Sequence, residues 1–287
     1  MKKTLIAVMC ILGLTFSACT QSSTEKLNVM TFNIRLDSQS DGDNQWPYRK
    51  DYAANLIKFY ETDLCGSQEV QHHQLMDLLE RLPEYAYIGV GREDGNTKGE
   101  YTPIFYRKDR FTLINSGNFW LGEDMNAVGV KGWDAACERV ATWGIFKDNS
   151  TGKEFFMLNT HLDHMGQVAR REGASLVLEQ ATLLAKNLPI IVTGDFNATA
   201  DSEPIKVLTN TSDPRHVVDT RTFTELRYGP EGSFHNFGRT EQDRRRVIDY
   251  VFVKGNFKVL RHGILTESMG HLYPSDHYPV LSTLVIE

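Results

Sequence analysis

Several short runs in this sequence are apolar at consecutive positions, where a strand with one face in water would alternate apolar and polar residues. One run is Ile190, Ile191 and Val192, and residues 27–35 and 247–253 are also largely apolar on both sides. Such strands are buried on both faces. Because the 287-residue chain is 41% hydrophobic and 24% charged, it can build a large core. We therefore expect two sheets packed face to face, with helices on the outside.

The remaining periodicity predicts roughly ten or more strands and a few helices. Apolar residues at helical spacing follow Pro47 and recur over residues 75–82 and, in the longest helix, 167–186. Further strands are predicted at residues 85–90, 104–107, 111–116, 119–121, 139–146, 155–161, 257–265 and 280–286. No stretch of disordered composition interrupts residues 27–287, so we expect a single domain there.

The N-terminal segment differs in kind from the rest of the chain. Lys2 and Lys3 precede an apolar run over residues 5–14, and small residues stand directly before Cys19. This pattern is typical of a bacterial lipoprotein signal, and the alternative is ordinary signal cleavage nearby. We expect a signal peptide over residues 1–18 and a lipidated Cys19 with a polar tether over residues 19–26. The protein would then be exported and lipid-anchored in the bacterial cell envelope, on the periplasmic or outer-membrane side.

The charge of the chain limits its partners. Removal of Lys2 and Lys3 with the signal peptide changes the formal net charge from −6 to −8. An acidic protein is not attracted to nucleic acid or anionic membrane by its overall field, so an anionic substrate must be held by local groups or metal ions. No apolar run approaches the roughly 18 residues of a membrane span. We expect membrane contact through the lipid alone, and a monomer.

Polar groups that bind cations or move protons follow the apolar strands at five points. They are Asn33, Glu69, Asn159 with His161, Asp195 with Asn197, and Asp276 with His277. A sixth group, Asp249, lies inside the predicted strand over residues 247–253 and needs a partner if it is buried, which a histidine would provide. Each residue alone could cap a turn or be a satisfied core residue. The six together indicate a functional site.

Six short motifs contain these residues and occur in order along nearly the whole mature chain. They read Thr31-Phe32-Asn33-Ile34-Arg35, Gln68-Glu69-Val70, Asn159-Thr160-His161, Gly194-Asp195-Phe196-Asn197, Ile248-Asp249-Tyr250 and Ser275-Asp276-His277. The set resembles the endonuclease/exonuclease/phosphatase superfamily, with its deoxyribonuclease I-like fold. The resemblance implies a four-layer α/β sandwich of two mostly antiparallel sheets with helices outside, and an active site at one end of the sheets.

The same resemblance implies a divalent metal. Glu69 resembles the principal metal ligand of the family, assisted by Asn33 and Asp276. Carboxylate and carboxamide oxygens suit Mg²⁺, which keeps several waters and bridges to phosphate. Mg²⁺ is therefore the expected cofactor, with Mn²⁺ and Ca²⁺ as alternatives.

Five further residues acquire catalytic roles from the resemblance. His277 resembles the general base that activates water, and Asp249 resembles the carboxylate that orients it. Asp195 and Asn197 resemble the pair that orients the attacking water and holds a phosphate oxygen. His161 resembles the histidine that donates to a phosphoryl oxygen. The implied reaction is in-line attack by water on phosphorus.

Three residues are weaker predictions for phosphate contact. Arg139 could hold a phosphate through its guanidinium fork or could form a surface ion pair. Tyr106 could hydrogen-bond phosphate or pack in the core. His235 lies in a loop that could approach the substrate.

The expected function is hydrolysis of a phosphoester, most simply a phosphodiester in nucleic acid, a nucleotide or a small molecule. The basic run Arg244, Arg245 and Arg246 favours a nuclease, whereas the net charge opposes one. Fold analogy does not settle the substrate. The alternatives are a sphingomyelinase- or inositol-phosphatase-like phosphoesterase and a ligand-binding lipoprotein without turnover.

Overall fold

The structure, a computed structural model, describes residues 25–287. The expected signal peptide, Cys19 and the tether up to residue 24 lie outside the described residues. Within the described part, the strands are β1 Leu27–Asn33, β2 Leu64–Gln68, β3 Tyr85–Ile88, β4 Ile104–Arg107, β5 Phe111–Trp120, β6 Val140–Asp148, β7 Glu154–His161, β8 Ile190–Asp195, β9 Val218–Asp219, β10 Arg227–Tyr228, β11 Asp249–Lys254, β12 Phe257–Ile264 and β13 Val280–Ile286. The α-helices are α1 Trp46–Phe59, α2 His72–Arg81, α3 Gln167–Ala185 and α4 Glu203–Thr209, and 3₁₀ turns span Gln39–Asn44 and Gln242–Arg244.

The strands form two sheets. One has seven strands in the order β10-β12-β13-β1-β2-β4-β3, and the other has six in the order β5-β6-β7-β8-β11-β9. Neighbours are parallel at β1–β2, β7–β8 and β10–β12 and antiparallel at all other described pairs. The prediction of two mostly antiparallel sheets is confirmed.

Three apolar layers separate four layers of secondary structure. Between the sheets, residues such as Val29, Phe155 and Val251 form one core. On the outer face of the seven-stranded sheet, alternate residues such as Phe32 pack against α1 and α2, and α3 and α4 cover the six-stranded sheet in the same way. The central strands are thus buried on both faces, which explains their consecutive apolar residues. The four-layer α/β sandwich is confirmed.

One detail of the strand pattern was wrong. Residues 111–116 and 119–121 were predicted as two strands divided at Gly117, but β5 is continuous, with a bulge between Leu113 and Asn115. A Cβ atom on Gly117 would lie 2.8 Å from the Trp143 ring. This glycine therefore serves a close approach across the sheet and does not make a turn.

Strand register brings the polar strand ends to one end of both sheets. Asn33 lies opposite Gln68 in the first sheet, and His161 and Asp249 each lie opposite Asp195 in the second. No helix in residues 25–287 is long and apolar enough to cross a membrane.

Candidate active site

The polar strand ends open into a cavity of about 530 Å³. Its lining falls into two groups, which we name by composition. The acidic wall consists of Arg35, Glu69, Asp195, Asp276 and His277, and the arginine wall consists of Arg92, Glu100, Arg139 and His164. His161 borders both, since it lies 3.5 Å from Asp195 and also lines a small recess with Arg92 and Arg139.

His277 and Asp249 form a buried pair on the acidic wall. Asp249 is the first residue of β11, and its Oδ2 accepts from His277 Nδ1 at 2.9 Å. The two side chains are within hydrogen-bonding distance, as the sequence predicts. Burial alone would lower the pKa of His277, but the Asp249 carboxylate raises it well above its usual value. The other ring nitrogen, Nε2, lies 3.7 Å from Asp195 Oδ2.

Asp195 ends β8 in the middle of this group. Its Oδ1 accepts the backbone N–H of Asn197 at 2.9 Å, and its Oδ2 accepts Asn33 Nδ2 at 3.0 Å. Burial and, next, repulsion by Asp249 raise the pKa of Asp195 to about 7. Asn197 has φ 46, and an asparagine tolerates this left-handed conformation better than most residues. The turn aims the Asn197 amide at His161 Nε2, 3.1 Å away.

Glu69 directly follows β2 and faces the same space. Its Oε1 accepts Asn33 Nδ2 at 3.0 Å, and its Oε2 accepts the backbone N–H of Leu36 at 3.2 Å. Burial opposes ionisation, but the Asn33 hydrogen bond and the charge of His277 lower the pKa of Glu69 below its usual value. Glu69 is therefore ionised at neutral pH.

The acidic wall has the donor chemistry of a divalent cation site. Glu69, Asp195 and His277 each offer one ligand atom, and these atoms lie within 4.8 Å of one another. Asp276 lies nearby, 3.8 Å from Arg35 Nε, but outside that close group. Burial and then the charge of Asp249 raise the pKa of Asp195, and a bound cation would offset both by favouring the ionised carboxylate. The residues present fit a hard cation such as Mg²⁺.

Arg139 anchors the arginine wall. Its Nε donates to Asp163 Oδ2 at 3.3 Å, and its Nη2 donates to His164 Nδ1 at 3.0 Å. The sequence left a surface ion pair open as an alternative, but Arg139 is only 4% exposed and the pair is buried beside the cavity. Burial and then the charge of Arg139 lower the pKa of His161 well below its usual value, so His161 is neutral.

Sequence reasoning missed Arg92 and Glu100. The segment over residues 91–100 is rich in glycine and charge, a composition typical of an exposed loop. In the structure, Arg92 Nη1 donates to Glu100 Oε2 at 2.9 Å and Nη2 lies 2.8 Å from Oε1, at the edge of the cavity. The sequence signal, an arginine and a glutamate in a charged loop, is too common to identify such a pair.

The comparisons with known proteins agree with this geometry. The model of the Endonuclease/Exonuclease/phosphatase family matches residues 30–277. This chain belongs to that family. Its members are hydrolases that act on phosphoester bonds and generally use divalent metals.

Three relatives illustrate the similarity. An endonuclease/exonuclease/phosphatase from Bacteroides vulgatus is 42% identical with a TM-score of 0.88, covering 92% of this chain and 100% of its own. A mannosyl-6-phosphatase from Bacteroides thetaiotaomicron is 40% identical with a TM-score of 0.85, covering 90% and 99%. Human Nocturnin is 26% identical over 88% of this chain. The match covers 63% of Nocturnin, so this chain spans less than two thirds of that relative.

Two predicted phosphate contacts are wrong for this cavity. Tyr106 on β4 pairs with Leu64, at the opposite end of β2 from the site, and its ring packs against Phe146 between the sheets, 5.2 Å centroid to centroid. Alternation along β4 could not show which end of the sheet this tyrosine occupies.

His235 is the second. It is fully buried, with its ring stacked on Tyr278 at a centroid distance of 3.9 Å, and its flanking residues Phe234 and Asn236 line the cavity instead. Burial lowers the pKa of His235 to about 3, and its Nδ1 accepts the N–H of Gly238. His235 is a neutral core residue beneath the cavity floor.

Proposed function

We propose that this protein is a divalent-metal-dependent phosphoester hydrolase in which His277 and Asp249 activate water and Glu69 holds the metal. The observation that carries the proposal is the 2.9 Å contact between His277 Nδ1 and Asp249 Oδ2, at the cavity that His277 lines beside Glu69. The other ring nitrogen, Nε2, lies 3.5 Å from Asn33 Nδ2 and 3.7 Å from Asp195 Oδ2. A buried histidine with a carboxylate on one nitrogen and its ring at the edge of a cavity is the arrangement that a general base requires.

The residues divide the work of hydrolysis as follows. Glu69 would hold the cation with help from Asp276. Asn33 accepts the backbone N–H of Arg35 with its Oδ1 and donates from Nδ2 to Glu69 and Asp195, so it positions the two carboxylates. The cation, when bound, stabilises negative charge on phosphoryl oxygens and offsets the charge of the neighbouring carboxylates. His277 Nε2 takes a proton from the attacking water, and Asp249 holds the imidazole in orientation and stabilises its charged form.

The residues next to His277 would orient the attacking water and contact the phosphate. Asp195, placed 3.7 Å from His277 Nε2, orients the water. Asn197 and His161 lie together at the cavity surface and would face the phosphoryl oxygens. Donors fixed in a buried site before reaction stabilise developing charge without reorganising.

Among substrates, we propose a small phosphorylated sugar, a phosphomonoester, in place of the nucleic acid that the basic run suggested. The 40%-identical mannosyl-6-phosphatase supports this class. The net charge of −6 opposes a polyanionic substrate. Of the basic run, Arg244 pairs with Glu241 at the surface and Arg245 donates to the Tyr278 hydroxyl, and neither these two nor Arg246 is among the described residues that line the cavity. A phosphodiester remains the second candidate.

The test is phosphate release by purified protein with Mg²⁺ and with a chelator. The panel holds a hexose 6-phosphate, an aryl phosphodiester, DNA, RNA, sphingomyelin and inositol phosphates. We expect metal-dependent turnover that Glu69→Ala abolishes and that Glu154→Ala, an exposed change at the far end of β7, leaves intact. A folded protein that turns over no member of the panel would contradict the proposal and favour ligand binding without catalysis.

We also propose that the mature protein is exported and lipid-anchored through Cys19, on the sequence pattern alone. Lipid labelling of the expressed protein, with Cys19→Ser as the control, tests this. An unlabelled wild-type protein would contradict it.

A further inference from the structure

The segment that carries Arg92 and Glu100 is held in a fixed conformation. The backbone N–H of Arg92 donates to the carbonyl of Glu100 at 3.1 Å, and that of Glu93 donates to the carbonyl of Lys98 at 3.2 Å. The indole Nε1 of Trp120 donates to the Arg92 carbonyl at 2.7 Å. The segment is therefore a closed hairpin tied to β5, and the Arg92–Glu100 pair is presented to the cavity by a fixed backbone.

The Arg92–Glu100 pair has unused hydrogen-bonding capacity. Arg92 Nη1 donates one hydrogen to Glu100 Oε2, and Nη2 lies 2.8 Å from Oε1 in the same ion pair, so the contact engages at most one hydrogen on each Nη atom and one lone pair on each oxygen. Each Nη atom keeps a second hydrogen, and each oxygen keeps a second lone pair. The side chains are 14% and 16% exposed, and both line the cavity. Donors and acceptors thus stand side by side at its surface.

Stability does not explain this pair. A largely buried ion pair costs desolvation that roughly offsets its attraction. The Nε–H of Arg92 is buried and has no partner among the described residues, which adds a further cost. Neither residue contacts the acidic wall through a hydrogen bond in the described structure. Recognition of a ligand is a role that compensates for such a cost.

We propose that Arg92 and Glu100 bind the hydroxyl groups of a small phosphorylated polyol, such as a phosphorylated sugar, while its phosphate lies at the acidic wall; this rests on the proposed function. A hydroxyl group can both donate and accept a hydrogen bond. Adjacent hydroxyls can therefore donate to the Glu100 oxygens and accept from the Arg92 N–H groups. Arg92 and Glu100 share one cavity with Glu69 and His277, and together with Arg139 they line the small recess beside His161.

The experiment compares two phosphomonoesters. A hexose 6-phosphate carries the hydroxyls, and 4-nitrophenyl phosphate carries none. We expect Glu100→Gln to lower kcat/KM for the hexose phosphate by about 10- to 100-fold, the range for hydrogen bonds to a charged group, and to change the aryl phosphate by less than about threefold. The double change Arg92→Gln with Glu100→Gln leaves no unpaired charge and should show the same selective loss. Asp109→Asn alters another arginine–carboxylate pair, Arg107 with Asp109, which is exposed and does not line the cavity. It is the control, and its kcat/KM should stay unchanged for both substrates.

An equal loss on both substrates, or no loss on either, would overturn the proposal. If the wild type hydrolyses no phosphoester, the proposed function fails, and calorimetric titration of the hexose 6-phosphate into wild type and Glu100→Gln then decides the binding role by itself. Weaker binding by the variant would support the pair as a hydroxyl site. Equal binding, or no binding by the wild type, would refute it.

Discussion

The described residues contain two groups of three side chains that could hold a metal ion, one on the acidic wall and one beside the arginine wall. Glu69, Asp195 and His277 form one group, and Cys137, Asp163 and His164 form the other, each with ligand atoms within 4.8 Å. The two groups differ in how many hydrogen bonds their carboxylate oxygens already accept from the protein. The clearest comparison is between Asp163 and Asp195.

Asp163 is saturated with protein donors. Its oxygens accept the backbone N–H groups of Ala136, Cys137, Met165 and Gly166, and Arg139 Nε as well. Burial acts to raise the pKa of Asp163, but these N–H donors hold it well below its usual range. Asp195, in contrast, has a raised pKa of about 7. Proximity alone therefore does not make a metal site, because an anion already neutralised by N–H groups gains little from a cation.

The largest effect is expected at Glu69. Glu69→Ala removes the ionised carboxylate of the acidic wall, and we expect kcat to fall by about a thousandfold, since charge stabilisation by a metal is worth several kcal/mol. Steady-state kinetics at saturating Mg²⁺ measure this. If Glu69→Ala kept the wild-type kcat, the assignment of the metal site to the acidic wall would be wrong.

Asp249→Asn comes next. Loss of the orienting carboxylate should lower kcat by about 100-fold. Because Asp249 raises the pKa of His277, and a base acts only when unprotonated, its removal should also move the acid limb of the pH–rate profile to lower pH. Asp219→Asn, a buried carboxylate on β9 outside the cavity, is the control that should keep the profile. An acid limb that stays in place would argue against His277 as the base.

A smaller effect is expected on the arginine wall. Lysine has no planar fork that holds Asp163 and His164 through two separate nitrogens, so Arg139→Lys should raise KM for a phosphorylated substrate by about tenfold and leave kcat within about threefold. Arg110→Lys changes another buried arginine, one that pairs with Asp63 and Asp148, and should leave KM unchanged. A fall in kcat without a change in KM would place Arg139 in the chemistry.

The smallest effect on turnover is expected from Asp163→Asn. In asparagine, an NH₂ group replaces one of the two carboxylate oxygens, and this donor would face backbone N–H groups that need an acceptor. The free energy of unfolding should therefore fall by about 1–3 kcal/mol, while the affinity for Mg²⁺ stays within about twofold. Since the folded-state pKa of Asp163 is depressed, its contribution is present above the unfolded pKa of about 3.9 and is lost below it. Urea unfolding should show that the difference in the free energy of unfolding between wild type and variant is smaller at pH 3 than at pH 7. A loss of Mg²⁺ affinity at pH 7 would contradict the contrast between the walls.

The acidic wall was predictable from sequence because its residues follow buried strands. Once β1, β2, β8 and β11 are recognised as central, register alone brings Asn33, Glu69, Asp195 and Asp249 to one end of the fold.

The arginine wall was not predictable in the same way. Arg92 and Glu100 reach the cavity through a hairpin closed by backbone hydrogen bonds and by Trp120, and no periodicity encodes that path. Loops carry function without a repeating pattern. His235 failed for the same reason, because the loop that carries it folds its ring beneath Tyr278.

The most direct measurement is a crystal structure of the protein soaked in Mn²⁺, with the metal located by its anomalous scattering. The contrast between the walls predicts a peak coordinated by Glu69 on the acidic wall and none at Cys137, Asp163 and His164. A peak at the second group, or none in the cavity, would contradict the metal site on which the proposed hydrolysis depends.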